Sequence, residues 1–329
     1  MKKMIVIVGP TASGKTALGI TAAQKFSGSL INADSRQVYK NLDIISGKDI
    51  PLGSSFTSVP VLSNTLYTIG FYQIENIPQY LVDIVNPEYE FSINDFVKIA
   101  PPTIEYVTQQ NSLPMVVGGT GFYIKGLLDG VETVSIEPDR VLRKSLENKT
   151  VNELQKKLQE LNSERFSQMN NSDKNNPRRL VRAIEIEARP LKKNREMNLI
   201  EVRPLSNAYE ILMIGLTASR KTIQLRIDQR VMSRLKLGAL KEAESLFKKY
   251  DSLSNNVKTS SGYQQLFQYF KGEVDLEGAV EKWKQAEYLI AKKQMTWFKK
   301  DKRIIWFDIE QKGYENKIFA YMNSFLASK

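Results

Sequence analysis

Apolar residues along this 329-residue chain fall into two kinds of run. Short continuous runs at Met4–Val8, Leu30–Ala33, Pro114–Val117, Ile211–Gly215 and Ile304–Phe307 read as strands buried on both faces. Helical patterns separate several of them, and such βα alternation predicts a parallel sheet covered by helices. The stretch from about Gly126 to Asn198 differs in kind. Leu154, Leu158 and Leu161 recur at helical spacing within Val151–Leu161, with further helices predicted at Asp139–Glu147 and Pro177–Glu187. Polar turns such as Asn170-Asn171-Ser172-Asp173 and Asn175-Asn176-Pro177 part them. The expectation is an all-helical insertion domain, residues 126–198, within an α/β core built from residues 1–125 and 199–329. Long helical patterns return at Arg220–Tyr250 and Leu276–Lys299, whereas Gly53–Gly70, rich in Ser, Thr and Gly, reads as an extended surface excursion.

The link after the first strand narrows the chemistry. Gly9-Pro10-Thr11-Ala12-Ser13-Gly14-Lys15-Thr16 has the spacing G-x-x-x-x-G-K-[ST] between an apolar run and a helix. This predicts a P-loop NTPase-like core. Backbone N–H groups of such a loop point inward, and the helix N-terminus adds partial positive charge. Lys15 supplies a mobile cation for phosphate oxygens, and the Thr16 hydroxyl is the usual Mg2+ ligand. A di- or triphosphate is therefore expected, which leaves kinase, ATPase and transferase open. After the second strand comes Asp34-Ser35-Arg36-Gln37-Val38-Tyr39, a carboxylate at the strand end where open α/β folds bind ligands. After the strand at Pro114–Val117 comes Gly118-Gly119-Thr120-Gly121, where an ATPase usually carries an acidic residue. Glycines there let another group approach closely. A motor ATPase or GTPase is disfavoured.

Composition removes further options. The chain has no Cys and no His, so disulfides, thiolate catalysis and imidazole bases are excluded. A proton acceptor must be a carboxylate, lysine, tyrosine or water. No apolar run is long enough for a membrane span, and the N-terminal pattern is not that of a signal peptide. An intracellular location is expected. The net charge of +11 is concentrated in two clusters. One comprises Arg178, Arg179, Arg182, Arg189, Lys192, Lys193 and Arg195; the other comprises Lys284, Lys292, Lys293, Lys299, Lys300, Lys302 and Arg303, interleaved with Tyr288, Trp297 and Phe298. Solvated basic helices would carry such charge too, but beside a phosphate loop nucleic acid is the favoured partner.

Taken in order, Gly-Pro-Thr-Ala-Ser-Gly-Lys-Thr, Asp-Ser-Arg-Gln-Val-Tyr, Gly-Gly-Thr-Gly-Phe-Tyr and Lys-Lys-Gln-Met-Thr-Trp-Phe resemble the tRNA dimethylallyltransferase family. The similarity spans most of the chain. It implies transfer of a dimethylallyl group from dimethylallyl diphosphate to N6 of the adenine on the 3′ side of a tRNA anticodon, in a cytoplasmic monomer using Mg2+. Gly9, Pro10, Thr11, Ala12, Ser13, Gly14, Lys15, Thr16 and Arg220 would hold the diphosphate, Thr16 through the metal. Asp34 would accept the amine proton, with Thr11 near the bridging oxygen and Lys15 on the leaving group. Ser35, Arg36, Gln37 and Thr120 would surround the extruded base. Arg143, Arg178, Arg179, Leu180, Val181 and Arg182 would meet RNA from the insertion, and Gly262, Tyr263, Lys292, Lys293, Gln294 and Trp297 from the C-terminal part.

The chain departs from the family pattern at several points. Pro78-Gln79-Tyr80 stands for Pro-His-His, Gln264 for an arginine, Glu287-Tyr288 for Thr-Arg, and Lys293 for arginine. These put RNA contacts in doubt, with stacking by Tyr288 as one substitute; none is expected to touch the phosphate loop. Two other activities stay in view: an isopentenyltransferase for free adenine nucleotides, and a P-loop small-molecule kinase. A non-enzymatic RNA-binding protein would leave the loop unexplained.

Overall fold

The computed structural model describes residues 1–48, 50–51, 53–61, 66–130, 139–188 and 204–328. The chain divides into two compact units, Met1–Asp129 with Arg203–Lys329, and Gly130–Val202.

The first unit is a mixed α/β structure around an eight-stranded sheet. Its strands are β1 (Lys2–Val8), β2 (Gly28–Asn32), β3 (Phe56–Ser58), β4 (Gly70–Ile74), β5 (Ile77–Tyr80), β6 (Leu113–Val117), β7 (Tyr209–Thr217) and β8 (Ile304–Asp308). Their spatial order is β3-β4-β5-β2-β6-β1-β7-β8. β1 lies parallel between β6 and β7, and Met4–Val8 is wholly buried, as a continuous apolar run requires at the centre of a covered sheet. β2 pairs in parallel with β6 and β5, and β8 with β7. The apolar runs thus became strands where expected, and one edge was missed. β3, β4 and β5 form an antiparallel extension. Ile74 pairs with Ile77 across Glu75 and Asn76, both left-handed (φ 51° and 67°), a two-residue hairpin turn without the usual glycine signal. Part of the Gly53–Gly70 excursion is therefore strand.

The helices of this unit are α1 (Lys15–Phe26), α2 (Ile93–Gln109) and α3 (Gly121–Asp129) before the other unit. That unit contains α4 (Arg140–Leu146), α5 (Val151–Leu161), α6 (Ser163–Gln168), α7 (Asn171–Lys174) and α8 (Pro177–Glu187). After it come α9 (Arg220–Lys236), α10 (Ala239–Phe247), α11 (Asn255–Lys258), α12 (Tyr263–Phe270), α13 (Leu276–Phe298) and α14 (Tyr314–Ala327). α1 lays Leu18, Ala22 and Ala23 against Ile5, Leu30, Met115 and Val117, in a core that also takes in Ile318 and Met322 of α14. The helix expected over Arg220–Tyr250 breaks at Gly238, whose φ of 107° ends α9 before α10 begins.

The Gly130–Val202 unit packs Leu146, Leu154, Leu158, Leu180, Ala183 and Ile184 into a small core of its own. Its Asn-rich turns are helix starts. Asn162, Asn170 and Asn176 each accept a backbone N–H of the following helix, and Thr150 with Glu153 forms a capping box. Arg189, Lys192, Lys193 and Arg195 of the first basic cluster lie outside the described residues. Among the described residues no helix is long and apolar enough to cross a membrane.

Candidate active site

The loop between β1 and α1 is tight and partly strained. Gly9 has φ 149°, and a Cβ there would stand 2.7 Å from the Leu216 carbonyl oxygen of β7. Ala12 sits at φ 63°, a left-handed conformation that a non-glycine residue holds only when its surroundings force it. α1 starts from Gly14 without a side-chain cap and without an acidic residue in its first turn. Its first N–H groups therefore remain available to an anion. Ser13 is 1% exposed and its Oγ has no hydrogen-bond partner among the described residues. Lys15 Nζ donates to the Pro10 carbonyl at 2.6 Å. Burial, and then repulsion from Arg230, pull this ammonium down to about 8, against the opposing pull of Asp34. Lys15, Arg230 and Asp34 thus share one electrostatic neighbourhood.

Asp34 follows β2 and is half-buried. Its Oδ1 accepts the Arg36 N–H at 2.8 Å, closing a turn, while Asn32 Oδ1 accepts the Asp34 N–H at 3.2 Å. Thr120 Oγ1 accepts the Ser35 N–H at 3.1 Å, and the Thr120 N–H reaches the Ala33 carbonyl at 3.2 Å. The strand ends of β2 and β6 are therefore laced together around the carboxylate. Gln37 turns away and donates to the Gly47 carbonyl at 2.8 Å.

The glycines after β6 admit the chain's own helix. A Cβ at Gly119 would overlap Gln294 Nε2, and one at Gly121 would overlap the Trp297 indole. Gln294 and Trp297 stand three apart on α13 and so share a face. Gln294 Oε1 accepts the Thr11 N–H at 2.7 Å, and its Nε2 donates to the Gly119 carbonyl at 3.0 Å. One amide thus ties the β1 loop to the β6 loop. Trp297 remains 41% exposed, edge-on to Phe122 with ring centroids 6.2 Å apart. Gln294→Met keeps the length of this side chain and removes both bonds. The turnover rate is expected to fall about tenfold to a hundredfold, as two hydrogen bonds at ~0.5–1.5 kcal/mol each imply. RNA affinity, measured by filter binding, should stay unchanged; a parallel loss of affinity would return Gln294 to the direct RNA contacts.

α9 supplies the arginines at the loop. Arg226 Nη1 lies 3.4 Å from the Ala12 carbonyl, and Arg230 Nη1 donates to Thr11 Oγ1 at 3.1 Å. Arg220 is exposed at the first position of α9, and among the described residues the guanidiniums hydrogen-bonded to the loop are those of Arg226 and Arg230. Arg226, Arg230 and Arg234 recur every four residues along one face of α9, a signal that singling out Arg220 overlooked.

Two family models match the chain, one described as IPP transferase over residues 69–301 and one as isopentenyl transferase over residues 2–88. The chain belongs to the IPP transferase family. It is 35% identical over 339 residues to a tRNA dimethylallyltransferase of Limosilactobacillus reuteri, covering 99% of each chain. It is 34% identical over 317 residues to a tRNA dimethylallyltransferase of Staphylococcus epidermidis, covering 94% of this chain and 87% of that one. Among solved structures it resembles a tRNA isopentenylpyrophosphate transferase from Staphylococcus epidermidis, with TM-score 0.65, 31% identity and coverage of 99% and 100%. It also resembles a eukaryotic dimethylallyltransferase acting on tRNA, with TM-score 0.76, 26% identity and coverage of 99% and 80%.

Several residues expected at the RNA turn out to be structural in this member of the family. Tyr263 is 1% exposed; its hydroxyl donates to Glu242, which in turn accepts the Asp43, Ile44 and Ile45 N–H groups at 2.9, 2.7 and 3.0 Å. Gly262 is buried against Ile45 and Trp283. Both support residues 43–45, and both are buried. Leu180 is fully buried in the core of its unit, and Val181 packs against that core. Arg143 and Arg182 converge on the buried Glu185; burial raises its pKa, but their hydrogen bonds outweigh this and hold it below the usual range. Arg179 pairs with Asp173 and remains exposed, as do Arg178, Lys292 and Lys293. The Tyr288 hydroxyl is hydrogen-bonded to Asp228, which makes it a packing partner of α9 and not a stacking platform. One departure does reach the loop: Glu287 Oε2 lies 3.5 Å from Thr11 Oγ1.

Proposed function

We propose that this protein transfers a dimethylallyl group from dimethylallyl diphosphate to N6 of the adenine 3′ to a tRNA anticodon, releasing diphosphate. The observation that carries the reading is the tie between a phosphate-type loop and a strand end that bears a carboxylate: Gln294 joins Thr11 to Gly119, and the adjacent Thr120 joins Ala33 and Ser35 on either side of Asp34, in a chain that has no histidine. In the reaction, N6 attacks C1 of the dimethylallyl group. The N6–C1 bond forms, the C1–O bond to diphosphate breaks, and Asp34 takes the proton that N6 loses. Lys15, Arg230 and the uncapped start of α1 stabilise the charge gathering on the leaving diphosphate. The loop fits such a ligand, because its own Ser13 Oγ is buried without a hydrogen-bond partner among the described residues. Among the described residues no three Asp or Glu side chains gather into a metal cage. A Mg2+ ion would instead be held by Thr16 and by diphosphate oxygens, as is usual for this ion, and it would supply further neutralisation of the leaving group.

The Gly130–Val202 unit serves as the helical insertion, with exposed Arg178 and Arg179 as the clearest contacts for RNA phosphates. Arg182 is a poor target for testing this, since it helps hold the buried Glu185. Replacing Arg178 and Arg179 together with alanine should weaken tRNA binding and flatten the slope of log K against log salt by about one to two units. Titrations at several salt concentrations check this, and an unchanged slope would remove these residues from the RNA surface. The activity itself is tested by incubation with labelled dimethylallyl diphosphate and unmodified tRNA. Label in tRNA is expected; label only in free AMP would favour the free-nucleotide activity, and conversion of ATP to ADP on a small acceptor would favour the kinase.

A further inference from the structure

Glu287 is the least accounted-for charged side chain near the loop. It lies on α13 two turns before Gln294, on the face that meets Thr11. Its relative exposure is 9%, so nine-tenths of it is withdrawn from water. Among the described residues its carboxylate has a single contact, the Thr11 hydroxyl at 3.5 Å, which is the outer limit of a hydrogen bond. Among the described residues the other buried carboxylates are well engaged. Glu185 holds two guanidiniums and a backbone N–H, and Asp95 accepts from Tyr67, Tyr89 and Ser92. Arg230 also donates to the Thr11 hydroxyl, and among the described residues no ion pair joins it to Glu287. A buried carboxylate without a cation is costly, and the cost is greater beside a site that receives a polyanion. The strand-end position where phosphate-loop proteins often keep an acidic residue for the metal is occupied here by Gly118 and Gly119.

We propose that Glu287 is a further ligand, directly or through a water, of the divalent cation that accompanies the diphosphate. This rests on the reading of Gly9–Thr16 as the diphosphate site. The missing partner of Glu287 then arrives with the substrate: the cation offsets both the carboxylate and the phosphate oxygens. The carboxylate repels a metal-free diphosphate and favours a metal-bound one, so it also makes donor binding selective for the metal complex.

The test uses Mn2+ as the cation and inorganic diphosphate as the anion, with the full-length protein and the variants Glu287→Gln and Glu287→Thr. Free Mn2+ is read by electron paramagnetic resonance, and diphosphate binding by calorimetry with and without metal. In the presence of diphosphate, both variants should bind Mn2+ about tenfold or more weakly than the wild type, the range that loss of a metal-supporting group brings. Without metal they should bind diphosphate more tightly than the wild type, because a negative charge has gone. This opposite response to metal is something a packing role would not produce. Equal Mn2+ affinity in wild type and both variants would overturn the proposal. So would tighter diphosphate binding by the variants both with and without metal, since Glu287 would then only repel the anion. If the wild type binds no diphosphate under any condition, the donor-site reading itself fails, an outcome separate from the first two. Thermal melts of the unliganded variants should show no loss of stability.

Discussion

Replacing Asp34 with asparagine is expected to lower the rate of prenyl transfer by about 10²- to 10⁴-fold, the usual worth of a general base. Asparagine is the informative choice because of the turn. Asp34 Oδ1 accepts the Arg36 N–H at 2.8 Å, and an amide oxygen can do the same, so the local backbone survives while the proton acceptor is lost. Asp34→Ala removes both and should be at least as damaging. The chain has no histidine to take over as base. Single-turnover measurement with saturating tRNA isolates the chemical step, and RNA affinity should change little. Retention of more than about a tenth of the rate would be too much for a lost general base and would remove Asp34 from the chemistry.

Lys15→Met should weaken donor binding about tenfold to a hundredfold or more while making the unliganded protein more stable at neutral pH. The two effects have one origin. In the folded, unliganded chain the ammonium is pulled from 10.5 to about 8, by burial first and by Arg230 second. The folded-state value is the lower one, so between about 8 and 10.5 the unfolded chain holds a proton that the folded chain does not. Stability contributed by this group therefore rises with pH across that window, and below about 8 the cost of the confined charge is present in full. Methionine removes that cost, so the melting temperature at pH 7 should rise. The diphosphate, in contrast, loses its cation. One hydrogen bond to a charged group is worth ~1.5–3 kcal/mol, so affinity should fall about tenfold to a hundredfold or more. Calorimetry with inorganic diphosphate in Mg2+ measures this, and in the wild type the same affinity should decline as pH rises through about 8. Unchanged affinity in Lys15→Met would show that the loop is not the donor site.

The local parts of the molecule were readable from the order of residues. β1, the Gly9–Gly14 turn and α1 are consecutive, and each is dictated by neighbours within a few positions: an apolar run, glycines that turn the chain, then a helix former. In the Gly130–Val202 unit the Asn-rich stretches were legible as breaks between helices, and the structure adds that Asn170 and Asn176 cap the helices that follow. The hairpin over Gly70–Tyr80 was missed for an equally local reason, since Glu75-Asn76 adopts left-handed turn geometry without a glycine to announce it.

The surroundings of the loop were another matter. Thr11 meets Gln294 across 283 positions of chain and Arg230 across 219, and no periodicity links residues that far apart. Tyr263 illustrates the converse: a motif residue in the family pattern became a buried support for Glu242 once α10 and α12 had packed. Residue order by itself determined the βα framework, the phosphate-type loop and the carboxylate at the end of β2, because backbone geometry and hydrophobic period act over a few residues. Tertiary structure alone decided which arginines, which amide and which buried carboxylate face that loop, because side chains on α9 and α13 reach it only after those helices have packed.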